Sequence, residues 1–250
     1  MICFSLVKAE SISNKTYAIV ISGISKEPED MEAKKTAIAG LEEFFIENNY
    51  VINETFEVLS AENADNKKST KANIEKVMDN FKSKLKKEDK FIFYYTGMSN
   101  IVGQKLRLNL PGEDITHEQL AVLFQDIKAS SILVVLDCPA SGIAIEALSG
   151  KGRIIICSCM DTELYSTKFS DFFVPALNNP KADLDEDGKN SILEIFTLTA
   201  KHLEQWYRQR QLFSTETPLL DDNGDGKGSK EPWRYMLDFK DGLSASEFFF

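Results

Sequence analysis

Continuously apolar, β-branched runs recur along the chain at Thr16 to Gly23, Phe91 to Gly97, Ser131 to Asp137 and Gly152 to Ser158. Short runs without polar alternation suit strands that are covered on both faces. Thr55 to Leu59 is a less regular strand candidate between the first two. The gaps carry helical spacing over Glu29 to Asn48, Thr70 to Lys86, Thr116 to Lys128 and Ser141 to Leu148. Strand and helix therefore alternate. That order predicts an α/β fold with right-handed crossovers, a mostly parallel central sheet and helices on both faces. Two helix starts carry capping boxes that satisfy orphan amides, Thr116 with Gln119 and Ser191 with Glu194.

From Asp161 the pattern changes to a helical segment, an acidic loop, a long helix and a second acidic loop. The expected organisation is an N-terminal segment over 1–14, an α/β core over 15–160, and a C-terminal subregion over 161–250 packed on the same domain. In the long helix, Ile192, Ile195, Phe196, Thr199, Leu203 and Trp206 recur at helical spacing and predict one buried face. Pro175 and Pro180 limit the segment before it to a short helix.

Composition narrows the function classes. A 250-residue chain with 43% hydrophobic and 27% charged residues has the material for a real core. Lys+Arg total 29 against Asp+Glu 39, a net charge of −10, so the basic stripe that nucleic acid requires is missing. No apolar run approaches the ~20 residues of a membrane span. The opening Met-Ile-Cys-Phe-Ser-Leu-Val-Lys-Ala reads either as a signal-peptide remnant or as a frayed terminus. Cys3, Cys138, Cys157 and Cys159 lack the paired spacing of a zinc site and read as core thiols, with a bridge from Cys138 to Cys157 or Cys159 left open. His117 and His202 are expected on the solvated surface.

Two strand endings carry a family resemblance. Phe-Ile-Phe-Tyr-Tyr-Thr-Gly-Met-Ser, residues 91–99, and Val-Val-Leu-Asp-Cys-Pro-Ala-Ser-Gly, residues 134–142, resemble consecutive strand endings of caspase, metacaspase and legumain cysteine peptidases. In that class the texts are usually Tyr-Ser-Gly-His-Gly and Leu-Asp-Ala-Cys-His-Ser-Gly. The opening Tyr-Ala-Ile-Val-Ile-Ser-Gly and the segment Leu-Asn-Leu-Pro-Gly-Glu-Asp-Ile-Thr, residues 108–116, are similar to bacterial legumain-like chains. The resemblance implies a caspase-like three-layer sandwich, with the family histidine at Met98 and the family cysteine at Pro139. Neither residue can do the chemistry, because a thioether exchanges no proton and proline has no side-chain heteroatom. The resemblance therefore implies a catalytically inactive lineage. The alternative enzyme reading uses Cys138, one place earlier, as nucleophile in an altered site.

The acidic loops add a cofactor. Asp183, Asp185 and Asp187 fall at positions 1, 3 and 5 of an EF-hand loop, Gly188 at 6, the Lys189 carbonyl at 7, Ser191 at 9 and Glu194 at 12. This spacing predicts Ca2+. Position 8 departs, since Asn190 stands where an apolar residue normally pairs with a partner loop. Asp221, Asn223 and Asp225, followed by Gly226, begin the pattern again, but the twelfth position is Pro232. The second loop is less complete. These features together predict a pseudopeptidase domain that binds calcium structurally and acts by binding a protein or peptide. A vestigial cleft around Met98, Pro139 and Ser141 is one place where a peptide would fit, while the favoured reading of Met98 is that it fills the hole left by lost catalytic groups. A secreted or periplasmic location is favoured over a cytoplasmic one, because a modest site suits high calcium. A calcium-dependent extracellular scaffold module is the second alternative.

Overall fold

The computed structural model of the chain describes residues 14–234 and 241–250. The N-terminal segment and Cys3 lie outside the described residues, apart from the last position of that segment. In chain order the elements are β1 (Thr16–Ser22), α1 (Pro28–Glu47), β2 (Phe56–Ser60), α2 (Lys71–Lys84) and β3 (Lys90–Thr96). A small antiparallel meander follows, β4 (Ser99–Val102), β5 (Lys105–Leu108) and β6 (Ile115–Thr116). Then come α3 (His117–Leu123), β7 (Ser131–Asp137), α4 (Ile145–Leu148), β8 (Arg153–Cys157), α5 (Phe169–Leu177), α6 (Ile192–Gln209), β9 (Leu219–Asp221) and α7 (Leu243–Ser246).

The central sheet has the order β2-β1-β3-β7-β8-β9. All its pairs are parallel except β8 with β9. Alternation along each strand divides the side chains between two cores. Tyr17, Ile19, Ile21, Phe91, Phe93, Val134, Leu136 and Ile155 point to one face, where Ile74, Phe81, Leu120 and Leu148 of α2, α3 and α4 cover them. Ala18, Val20, Ile92, Tyr94, Leu133, Val135 and Ile156 point to the other, beneath Leu41, Phe45, Phe173, Ile195 and Phe196 of α1, α5 and α6. This is a mostly parallel α/β sheet with helices on both faces, consistent with a three-layer sandwich and compatible with the caspase-like fold. Among the described residues no helix is long and apolar enough to cross a membrane.

Several local expectations change. The helix expected over Thr116 to Lys128 ends at Leu123, because the chain turns at Phe124 and Asp126 takes a left-handed φ of 64°. Ser141 to Leu148 is split into a 3-10 turn over Ser141–Ala144 and the short α4, because Gly142 is pressed against the end of β8. The meander and β9 were not expected as strands; both are too short for period-2 spacing to show. On α6, Tyr207 takes the buried position expected of Trp206, which is half-exposed under the Arg210 guanidinium. His117 and His202 are half-buried rather than solvated. Cys138, Cys157 and Cys159 are buried free thiols, so no bridge joins them.

The residues after Asp161 join this core. β9 extends the sheet edge, α6 packs on α5, and the tail docks beside α1. Phe250 meets Phe44, Phe45 and Tyr50 at ring separations of 4.9, 5.7 and 5.9 Å. The Phe248 carbonyl accepts from Ile192 N–H at 2.9 Å, at the first residue of α6. The tail therefore ties the start of α6 to α1. Truncating the buried Phe248 to alanine is expected to cost about 3 kcal/mol or more of unfolding free energy in a urea titration. A loss under about 1 kcal/mol would mean that the tail is not part of the core.

Candidate functional site

The carboxyl ends of β1, β3 and β7 lie in register, with Ser22 beside Thr96 and Thr96 beside Asp137. Loops beyond such ends are where open parallel sheets place reactive groups. Gly97 is required there by packing, since a Cβ would stand 2.5 Å from the Tyr95 hydroxyl and 2.9 Å from the Gly23 Cα. Met98 follows, half-exposed, with its Sδ accepting from the Ser166 hydroxyl at 3.6 Å. Pro139 is buried, and its carbonyl accepts the Ser99 hydroxyl. Ser141 is buried as well, with its Oγ taking the Cys159 amide at 3.1 Å. The expected cleft around Met98, Pro139 and Ser141 is thus closed at two of its three residues. The segment after β8 closes it: Glu163 accepts the Ala140 amide at 2.7 Å, and Ser166 reaches both Met98 and Asp30.

Cys138 is fully buried, and desolvation pushes its thiol well up from the ordinary range; a hydrogen bond from Ser99 and the Lys34 charge oppose this only in part. Its backbone is closed by Ser158, whose Oγ accepts the Cys138 amide at 3.1 Å. A reactive thiolate requires the opposite setting, a lowered pKa and an adjacent imidazole.

Below the strand ends lies a buried polar network that sequence reasoning missed. Asp137 Oδ2 accepts the Thr96 hydroxyl at 3.1 Å and the Ser170 amide at 3.3 Å, and it also accepts the Ser170 hydroxyl. Ser170 in turn contacts the Tyr94 hydroxyl at 2.7 Å. Glu216, only 2% exposed, accepts Lys168 N–H at 2.8 Å and the Tyr207 hydroxyl at 2.9 Å. Burial, with the Asp137 charge nearby, pushes its carboxyl up to about 8 despite those donors. An isolated glutamate in a polar stretch gives no sequence signal of this kind.

The two acidic loops share one backbone conformation. In the first, Glu186 and Gly188 have φ of 61° and 85°; in the second, Gly224 and Gly226 have φ of 81° and 77°. These are positions 4 and 6 of each loop. Hydrogen bonds match too. Asp187 N–H donates to Asp185 Oδ1 at 3.2 Å and Lys189 N–H to Asp187 Oδ1 at 2.8 Å; Asp225 N–H donates to Asn223 Oδ1 and Lys227 N–H to Asp225 Oδ1, both at 2.8 Å.

In the first loop, oxygens of Asp183, Asp185 and Asp187 all lie within 4.8 Å of one another. Opposite ligands around Ca2+ stand about 4.6–5.2 Å apart, twice the metal–oxygen distance, so the three suit one coordination sphere. Among the described residues none of the ion pairs involves them. Without a cation the three like charges repel, a repulsion that water screens in part because Asp185 and Asp187 are exposed. Glu194 has a different place from its neighbours. Its Oε1 accepts Leu184 N–H at 2.8 Å and Asp185 N–H at 3.2 Å, while Oε2 accepts the Ser191 amide and hydroxyl, each at 2.8 Å. The carboxylate therefore staples the loop to the first turn of α6. Ser191 is engaged as the N-cap, and Lys189 stands with its ammonium 5.5 Å from the Phe249 ring. Asn190, the departure at position 8, donates to the Leu177 and Asn179 carbonyls at 3.1 Å and so holds the end of α5.

The second loop is pinched at its base by Leu220 and Ser229, which exchange backbone hydrogen bonds of 2.9 and 2.7 Å. The loop brings Asp221 and Asp225 together, and Asp241 joins them from twenty residues downstream, all three with oxygens within 4.8 Å. Burial raises the Asp221 carboxyl and pushes Asp241 up to about 7.

No protein-family model matches the chain, and no curated protein matches it.

Glu216 gives the pH dependence a direction. Between the ordinary carboxylate value and about 8, the folded chain keeps a proton that the unfolded chain has released. Stability should therefore fall as pH rises through that window, by at most about 1.4 kcal/mol per pH unit from this group. In chemical denaturation at pH 5.5 and 8.5, Glu216→Gln is expected to flatten that decline. A variant as pH-dependent as the parent would show that Glu216 ionises normally.

Proposed function

We propose that this chain is a catalytically inactive, caspase- or legumain-like domain that holds calcium structurally at its first acidic loop and acts by binding a protein or peptide. One observation carries the non-catalytic reading. Where the resemblance calls for an imidazole and a thiolate, the strand ends present a thioether and a buried proline ring, and the neighbouring Cys138 thiol is sealed from solvent. The binding reading draws on the segment that covers this place. Leu164 and Tyr165, between Glu163 and Ser166, are large apolar side chains left 59% and 69% exposed. Apolar groups at such a position suit contact with a partner better than turnover.

Asp183, Asp185 and Asp187 would supply the carboxylates for the ion, with the Lys189 carbonyl at position 7 and Glu194 closing the loop. Calcium there would offset most of the charge of three clustered carboxylates and pin the entry of α6 to the end of α5. A short α5, only Phe169–Leu177 with Pro175 inside it, gives little lever for a sensor's opening motion, which favours a clamp.

Purified protein is expected to show no turnover of Asn-, Asp-, Arg- or Lys-directed fluorogenic peptides, and a thiol-reactive covalent probe should leave Cys138 unlabelled. Turnover abolished by Cys138→Ala would sink the non-catalytic reading. For the clamp, calcium at about 100 times its Kd contributes about 2.7 kcal/mol. Excess EGTA should then lower Tm by roughly 5–10 °C for a chain of this size. An unchanged melting curve would argue against a structural ion.

A further inference from the structure

The second acidic loop fails the EF-hand pattern in sequence because its twelfth position is Pro232. In the fold the missing carboxylate arrives from elsewhere. We propose that Asp241 completes a second, composite site for a hard divalent cation, calcium by its all-oxygen donors, together with Asp221, Asn223 and Asp225.

The cluster alone would not carry this, since grouped carboxylates are common on surfaces. Two features set it apart. Asp221 is 1% exposed and Asp241 is 3% exposed, so two of the three carboxylates are out of water. Asp221 Oδ2 is buried and accepts no hydrogen bond of good geometry, while its Oδ1 accepts Gly224 N–H at 3.2 Å and the Ser149 hydroxyl stands beside the carboxylate. A buried carboxylate oxygen left without a donor, within reach of two further carboxylates, requires a positive partner or a proton. Oxygens within 4.8 Å of one another match the span of one calcium sphere.

The scaffold holds the distant ligand in place. Asp241 Oδ1 accepts Asp222 N–H at 3.2 Å. Asp222 answers through its side chain, taking Gly242 N–H and Ala245 N–H, both at 2.7 Å. Asp222 thus commits its carboxylate to the start of α7, while Asp221 and Asp241 bring oxygens within 4.8 Å of each other. Gly226 N–H donates to Ser149 Oγ at 3.1 Å and docks the loop on the end of α4. An ion here would link the sheet edge at β9 to α7, and through α7 to the tail whose Phe248 carbonyl holds the first residue of α6. The two acidic loops would then be joined by one short stretch of chain.

Calcium stoichiometry of the full chain, stripped with chelator and titrated with CaCl2 by isothermal calorimetry, separates this site from the first. The parent should bind two ions. Asp225→Ala, at an exposed position, and Asp241→Asn should each bind one, with the far-ultraviolet circular dichroism spectrum of Asp225→Ala unchanged. Asp185→Ala in the first loop should also bind one. Two ions retained by Asp225→Ala, or a single parental ion lost in Asp185→Ala, would overturn the composite site. A single parental ion kept by Asp185→Ala but lost in Asp225→Ala would support it while removing the first-loop clamp proposed above.

Discussion

A mostly parallel sheet covered on both faces leaves little room for polar side chains along its central strands. Ala18, Val20, Ile92, Val135 and Ile156 fill one side, and Ile19, Phe93, Val134 and Leu136 the other, so the ladder satisfies only the backbone. Polar groups are therefore driven to the strand ends and loops. Asp137 marks that border. It sits on the last residue of β7, fully enclosed, and ties β3 to α5 through Thr96 and Ser170. The molecule's other notable polar groups, from Glu216 to the two acidic loops, lie in loops, turns and helix starts beyond this sealed interior or at the last residue of its edge strand.

The strand ends are shaped by close packing. Gly97 and Gly142 stand where a Cβ would collide, with the Tyr95 hydroxyl in one case and the Cys159 carbonyl, at 2.9 Å, in the other. Ser141 caps the Cys159 amide, and Asp137 organises α5. Each serves the packing whether or not a catalytic pair stands beside it. Met98 and Pro139 serve it as acceptors, Met98 for the Ser166 and Tyr95 hydroxyls and Pro139 through its carbonyl for the Ser99 hydroxyl.

The acidic loops solve a related problem. A loop that turns tightly around clustered carboxylates must point several amides inward, and here the side-chain oxygens at the third and fifth positions accept them in the same order in both loops, Asp185 and Asp187 in the first, Asn223 and Asp225 in the second. Glu194 differs from its role in the EF-hand spacing because the first turn of α6 competes for it: its carboxylate serves four donors, two from the loop and two from Ser191. Capping and loop closure share one side chain. The tail then seals the same region, with Phe248 bonded to Ile192 and Phe249 beside Lys189.

Local pattern determined much of this protein. The apolar runs marked β1, β3, β7 and β8 to within a residue or two, both capping boxes formed as read, and the acidic spacing located both loops, because each depends on residues close in sequence. The same text also identified Met98 and Pro139 as chemically silent. Tertiary structure alone decided what depends on distant partners: the antiparallel β9, the raised Glu216 carboxyl, the burial of Pro139, and the docking of the tail. Asp241 is the clearest case. Nothing in its own neighbourhood sets it apart, and only the return of the chain beside β9 places its carboxylate, desolvated, against Asp221 and Asp225.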